Sequence, residues 1–413
     1  MKRRVVITGL GAVAPLGLTV PELWESLLEG RSGGCYISRF DTEGYSTKIA
    51  AEVKGFKAEE FFDKKELRRL DISQQYALVA TIEAVADSGV MEDGIDPERA
   101  GVIIGTGVGG IHTFAEQHEI LLKRGPSRVS PFLTAMMIAN MPAGLVAMKY
   151  DMRAANYSTV SACASSSHAV GDSLRVIQNG EADIIITGGT EAAILPIATA
   201  GFCAARAMTT QNDEPEKASR PFDSKRDGFL MGEGAGILIL EELEYAKKRG
   251  AKIYAELVGY GMSADAYHIT APEPGGRGAT LAMKTALKDA NLEPTEVNYV
   301  NAHGTATPLG DISETLAIKN VFGEYAYKLT INASKSCIGH LLGGAGGIEA
   351  LITAKSIQEG KIHPTINYEY PDPKCDLDYT PYKIKEMDIN VAISNSFGFG
   401  GHNATLVLKK YKE

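Results

Sequence analysis

Cysteine is scarce and irregularly placed in this chain. Its 413 residues hold five, at positions 35, 163, 203, 337 and 375. The number is odd and no Cys-x-x-Cys pair occurs, which speaks against a zinc site or a disulfide framework and fits a reducing cytoplasm. Positive charge is in deficit. Lys and Arg number 42 against 51 Asp and Glu, a net charge of −9, so generic nucleic-acid binding is not expected. No apolar run is long enough to span a bilayer, so no membrane role is expected. Low-complexity tracts and long charge runs are missing as well. Met1-Lys2-Arg3-Arg4 ahead of an apolar stretch has the outline of a signal peptide. Gly9 and Gly11 break the continuous apolar core that a signal needs, and Val5–Thr8 reads better as a buried first strand ending in a glycine turn.

What is present is ordinary globular composition, 44% hydrophobic and 23% charged, with 44 glycines set beside apolar runs. The length exceeds a single ordinary core, so two domains or two fused halves are expected. Short apolar runs predict strands at 5–8, 101–104, 183–187, 236–240, 297–300, 329–333, 391–394 and 404–408. Helical patterns fall between many of them, at 72–88, 164–179, 278–290, 312–321 and 348–358. This alternation argues an α/β fold with strands buried on both faces. A weak internal echo supports two related halves: a small-residue turn leads into a helix ending Val176-Ile-Gln-Asn-Gly180, and another into a helix ending Ser356-Ile-Gln-Glu-Gly360. The halves would be 1–250 and 251–413, joined through the charged helical stretch 241–252.

Two glycine-rich turns mimic a dinucleotide fingerprint, Gly9-Leu-Gly11-Ala-Val-Ala14 and Gly105-Thr-Gly107-Val-Gly109-Gly110. Neither is followed by the helix, second strand and acidic residue that such a site needs. Asp223–Gly228 hints at a calcium loop, but Gly234 stands where the last ligand should be.

Chemistry concentrates in four small-residue turns. Cys163 lies in Ser161-Ala-Cys-Ala-Ser-Ser-Ser-His168, at the start of a helix, where the helix dipole favours the thiolate. His303 lies in Asn301-Ala-His-Gly-Thr-Ala-Thr307, and His340 in Ser334-Lys-Ser-Cys-Ile-Gly-His340. The fourth turn is Ser394-Asn-Ser-Phe-Gly-Phe-Gly-Gly401. Residues at the carboxyl ends of parallel strands converge on one crevice, so one nucleophile and two histidines in such positions form a candidate Cys-His-His site.

These motifs, with the opening Val5-Val-Ile-Thr-Gly-Leu-Gly11 and Ser219-Arg-Pro-Phe-Asp223, resemble the elongating β-ketoacyl-[acyl-carrier-protein] synthases over essentially the whole chain. Phe222 stands where that family often has Trp, a change expected to lie away from the chemistry. The resemblance implies a thiolase-like fold, two related α/β halves in an α-β-α-β-α sandwich. It implies an acyltransferase that joins an acyl thioester to a malonyl unit with loss of CO2, in fatty-acid or polyketide synthesis. Cys163 would be the nucleophile. His303 and His340 would stabilise the enolate, with Lys335 and Glu349 in support. The backbone N–H groups of Cys163 and Phe399 would form the oxyanion hole, with Phe399 also a gate. Thr305, Thr307, Thr270 and Phe397 would contact substrate and Val108 would line the acyl pocket. Lys65, Arg68, Arg69, Arg128 and Arg206 would dock an acyl carrier protein, whose phosphopantetheine arm carries the substrates. No metal or other cofactor is implied, and a homodimer is. Rival readings are a polyketide condensing subunit, a chain-length partner without a nucleophile, a thiolase and a Cys-dependent hydrolase. A degradative thiolase needs a second cysteine near the fourth turn, and the last cysteine here is Cys375.

Overall fold

The structure is a computed structural model describing residues 2–92 and 94–412. Ten strands form its main sheet: β1 (Val5–Val13), β2 (Ala100–Gly105), β3 (Asn156–Tyr157), β4 (Ile184–Glu191), β5 (Gly234–Glu242), β6 (Ala255–Ala264), β7 (Tyr299–Asn301), β8 (Thr330–Asn332), β9 (Val391–Gly398) and β10 (His402–Lys409). Their spatial order is β8-β7-β9-β10-β6-β1-β5-β4-β2-β3. The order folds about its middle. Strands β3, β2 and β4 run parallel and β5 and β1 antiparallel, and β8, β7, β9, β10 and β6 repeat those senses in mirror order. The two sets meet where Val5 pairs with Leu257. The sheet is therefore mixed, and only three strands of each half are parallel.

Helices α1 (Ile72–Ser88), α2 (Ile111–Arg124), α3 (Ser165–Gln178), α4 (Arg277–Ala290), α5 (Gly310–Phe322) and α6 (Ala345–Glu359) complete the layers. Helices α3 and α6 pack on each other and on strands of both halves. Helix α1 covers β1, β5 and β4 from one outer side, and α4 covers β6 and β10 from the other. This is an α-β-α-β-α sandwich. Its central helices are the two that carry the internal echo. Strands β2, β4 and β5 are apolar and almost wholly buried, because helices cover both faces. Helix α1 starts at Asp71, whose side chain accepts from Ser73 N in a capping box with Gln74, and stops at Gly89 with φ 62°.

The first strand differs from expectation. It does not turn at Gly9 but runs on to Val13. Its glycines serve packing: a Cβ on Gly11 would lie 1.8 Å from the Ala80 carbonyl of α1, and one on Gly9 2.3 Å from that of Ala84. Strand β6 repeats the device. A Cβ on Gly261 would lie 2.1 Å from the Ala282 carbonyl of α4, and one on Gly259 2.5 Å from that of Ala286. The same pair of close approaches in both halves explains the loose dinucleotide pattern without a nucleotide.

Candidate active site

All the chemically marked turns leave the carboxyl ends of the parallel strands. Cys163 follows β3, Val108 follows β2 and Glu191 ends β4. His303 follows β7, Lys335 and His340 follow β8, and Phe397 and Phe399 lie at the end of β9. Val108, Cys163, His303, His340, Phe397 and Phe399 line one cleft.

The nucleophile sits on a sharp turn ahead of α3. Ala162 adopts φ 51°, a left-handed conformation that costs roughly 1–2 kcal/mol outside glycine. The serines of the motif hold it there: Ser161 N donates to Ser165 Oγ at 2.8 Å, and Ser165 Oγ donates to the Ala162 carbonyl at 2.7 Å. The fourth turn comes close behind. A Cβ on Gly398 would lie 2.9 Å from both Cys163 N and the Ser161 carbonyl, so only glycine fits. The backbone N–H groups of Phe399 and of Cys163 both favour the charged form of the sulfur. They are the two donors expected of the oxyanion hole.

Cys163 Sγ, His303 and His340 present donor atoms all within 4.8 Å of one another. His340 Nε2 lies 3.0 Å from Sγ. Lys335 Nζ lies 3.4 Å from His303 Nδ1 and forms a short ion pair with Glu349. The two imidazoles meet edge to face at 5.4 Å. Burial, and then the nearby Lys335 ammonium, hold both histidines well below the usual imidazole range. Both rings are therefore neutral at physiological pH. Burial raises Glu349 to about 7 against the pull of Lys335.

One electrostatic expectation changes. Cys163 does precede a helix, but burial outweighs the helix end and pushes the thiol up to about 11. Lys335 and the backbone N–H groups pull it the other way and do not prevail. Burial thus favours the neutral thiol, in contact with the His340 imidazole.

Val108, Thr270, Thr305, Thr307, Phe397 and Phe399 all line the same cleft. Thr305 Oγ1 and Thr307 Oγ1 are 3.1 Å apart. The Phe397 ring is 5.7 Å from His303, and the Phe399 ring 6.4 Å from Phe202. Val108 is 43% exposed on the cleft wall rather than packed into the sheet. Val108→Phe is expected to slow acylation by long-chain donors by about tenfold or more, the scale of overpacking an apolar wall, while acetyl transfer persists. The check is the ratio of long- to short-chain acylation by intact mass, with a melting control.

The basic residues are less of a unit than their spacing suggests. Lys65, Arg68, Arg69, Arg128 and Arg206 are exposed. The expected helical face is only the four residues Lys64–Leu67, and exposed Glu59, Glu60 and Glu66 interrupt it. Arg69 lies over the Phe132 ring at 4.4 Å.

Phe222 is closer to the chemistry than expected. It stacks on Tyr379 at 3.8 Å, and a Cβ on Gly304, next to His303, would lie 3.1 Å from its ring.

Two carboxylates escaped the sequence reading. Glu314 on α5 accepts from His303 N and Gly304 N, each at 2.8 Å, and fixes the histidine turn. Glu191 accepts from Thr106 Oγ1, Gly107 N, Val108 N and Gly343 N at 2.7–3.3 Å, which organises the second glycine-rich turn. Glu191 at the end of an apolar strand was a usable signal. Glu314 gave none, because on its helix it looks like any surface glutamate.

Comparison with known proteins agrees with this geometry. The family model described as "Beta-ketoacyl synthase, N-terminal domain" matches residues 2–246, and its C-terminal counterpart matches 254–369. The 3-oxoacyl-[acyl-carrier-protein] synthase 2 of Synechocystis is 54% identical over 411 residues, covering 100% of this chain and 99% of the relative. That of Staphylococcus aureus strain N315 is 52% identical, covering 99% of each. A chain of AntDE:AntF, a type II polyketide-synthase acyl-carrier protein in complex with its ketosynthase, superposes with TM-score 0.92. It is 36% identical and both chains are wholly covered.

Proposed function

The chain belongs to the β-ketoacyl synthase family, and from that premise we infer a decarboxylative condensation, the elongation step of fatty-acid synthesis. The enzyme is an acyltransferase that joins a malonyl thioester to an acyl group held on Cys163, giving a 3-oxoacyl thioester and CO2. The observation that carries this reading is the cluster of Cys163, His303 and His340 within 4.8 Å, beside the Lys335–Glu349 pair. Relatives named 3-oxoacyl-[acyl-carrier-protein] synthase 2 match at 52–54% over essentially the whole chain, against 36% for the polyketide assembly, which supports the fatty-acid reading. A chain-length partner is disfavoured because Cys163 is present and in contact with His340.

The steps follow from the contacts. Cys163 Sγ attacks the acyl thioester carbonyl, and its proton leaves with the departing carrier thiol. The tetrahedral oxyanion falls to the N–H groups of Cys163 and Phe399. The malonyl thioester then enters. Its C–CO2 bond breaks, and the electron pair becomes an enolate on the thioester oxygen. His303 Nδ1 faces the Lys335 ammonium and accepts from it, so Nε2 carries the proton and donates to that oxygen. No protein group partners His340 Nδ1 among the described residues, so its Nε2 can present a proton as well. The enolate carbon attacks the acyl-Cys163 carbonyl, the oxyanion hole receives the charge again, and the Cys163 thiolate leaves.

We propose no metal or other cofactor. The Cys-His-His donors are close enough to hold a cation, but the Lys335 ammonium opposes one, and loss of CO2 supplies the driving force. The expected partner is an acyl carrier protein, as in the AntDE:AntF complex. The expected assembly is a homodimer in the cytoplasm. Edge strand β3 supports the dimer: it has a neighbour on one side only, and its Tyr157 and the nearby Val160 are 39% and 58% exposed. No helix among the described residues is long and apolar enough to cross a membrane.

Docking is expected to be electrostatic. Reversing Lys65, Arg68 and Arg69 to Glu should raise KM for acyl carrier protein by about tenfold at low salt, and less at high salt. Turnover of acyl-CoA should hardly change. A KM indifferent to both charge and salt would move the docking site elsewhere. The experiment for the whole reading is product analysis with acyl- and malonyl-carrier protein: 3-oxoacyl product and CO2 support it, and free acid alone refutes it.

A further inference from the structure

We propose that Glu191 is a positioning residue that sets the acyl-chain selectivity of the cleft, by pinning the Val108 wall to the turn that follows His340. The inference rests on the condensing function above and concerns a buried carboxylate outside the Cys-His-His cluster.

Two segments from opposite halves of the chain meet at the cleft. Gly107 and Val108 follow β2, and Leu342 and Gly343 lie between His340 and α6. All four line the cleft. Nothing covalent fixes one segment against the other. Glu191, wholly buried at the end of β4, reaches both. Its Oε1 accepts from Thr106 Oγ1 at 2.9 Å and from Val108 N at 3.3 Å. Its Oε2 accepts from Gly107 N at 2.7 Å and from Gly343 N at 3.0 Å. Thr106 Oγ1 accepts in turn from Gly109 N at 3.1 Å. One carboxylate thus holds three successive residues of one turn and one residue of the other.

The backbones close directly on it. A Cβ on Gly343 would lie 2.0 Å from Gly107 N and 2.7 Å from Glu191 Oε2, and one on Gly107 would lie 2.8 Å from the same oxygen. The Val108 side chain, by contrast, is largely open to the cleft. Its place is therefore set by its backbone, and a buried N–H is costly to leave without an acceptor.

This arrangement needs two acceptor oxygens, and glutamine has one. In Glu191→Gln the amide oxygen can keep Gly107 N and Gly343 N, which leaves the NH2 group facing Thr106 and Val108. The Thr106 hydroxyl can turn and accept from it, whereas the Val108 N–H only donates. The variant should therefore keep the two turns linked and release the wall residue alone. Burial pushes the carboxyl up to about 7 against the pull of its donors, so the assays belong at about pH 8, where the carboxylate prevails.

The test is a double-mutant cycle on acylation of Cys163, read by intact mass, with acetyl transfer as the internal reference and melting as the folding control. With Glu191 in place, Val108→Phe should lower the ratio of long-chain to acetyl acylation by about tenfold. In Glu191→Gln the wall can yield, and the same substitution should lower that ratio by about threefold or less, the coupling expected of residues in contact. A merely structural glutamate would slow both donors alike and leave the tenfold penalty unchanged. Thr106→Val takes the hydroxyl away from both Oε1 and Gly109 N. It should reduce the penalty in the same direction and carries the test if the glutamine variant does not fold. An equal penalty in both backgrounds, or none with Glu191 in place, would overturn the proposal. A wild-type protein that takes up no acyl group at all would instead count against the function itself.

Discussion

Replacing Cys163 by serine is expected to lower condensation by at least about 10³-fold, the scale on which the loss of a nucleophile acts. The reason differs from simple thiolate activation. Burial favours the neutral thiol and pushes it up to about 11. Even so, it gives up a proton far more readily than an alcohol, and it is the better leaving group when the enolate displaces it. The serine hydroxyl would still touch His340, so the fold and the cleft should persist and melting should hardly change. Wild-type protein should gain the mass of one acyl group and the variant should not. A serine variant with most of the wild-type condensing rate would remove Cys163 from the reaction.

The second large effect falls on the histidines. His303→Ala and His340→Ala are each expected to cost about 10²–10³-fold in malonyl decarboxylation, the typical price of one lost donor to a developing oxyanion. Their acylation should differ. His340 Nε2 touches Sγ at 3.0 Å, whereas His303 meets Lys335. His303→Ala should therefore leave acylation largely intact, and His340→Ala should slow it in part. Isotope release from carboxyl-labelled malonyl-carrier protein reads one half-reaction and intact mass the other. Equal loss of both half-reactions in both variants would contradict this division of labour.

Much of this was legible in the sequence because it rests on short-range chemistry. Strands at 101–104, 183–187 and 391–394 and the helix at 72–88 follow from apolar patterning, and they lie where expected. The site turns were visible because nucleophile, imidazole and ammonium sit among residues too small for ordinary core. What misled was glycine. In β1 it read as a turn, and in β6 it hid the strand altogether, since Gly259 and Gly261 interrupt the alternation that marks one. Both pairs answer to the carbonyls of a helix packed across the strand, a demand no local pattern reveals. The buried Glu314 was likewise invisible: its partners, His303 N and Gly304 N, come from the preceding turn only once α5 has folded back. The thiol's neutrality depends on how completely the cleft encloses it, which is a tertiary quantity.

The central claim is that Cys163, His303 and His340 form a condensing site. The most direct measurement is mass spectrometry of the protein incubated first with acyl-loaded and then with malonyl-loaded acyl carrier protein. The account predicts an acyl adduct on Cys163 that disappears when the malonyl substrate is added, with one 3-oxoacyl product and one CO2 for each adduct lost. An adduct that decays to free fatty acid, with the malonyl group untouched, would make this a hydrolase and contradict the account.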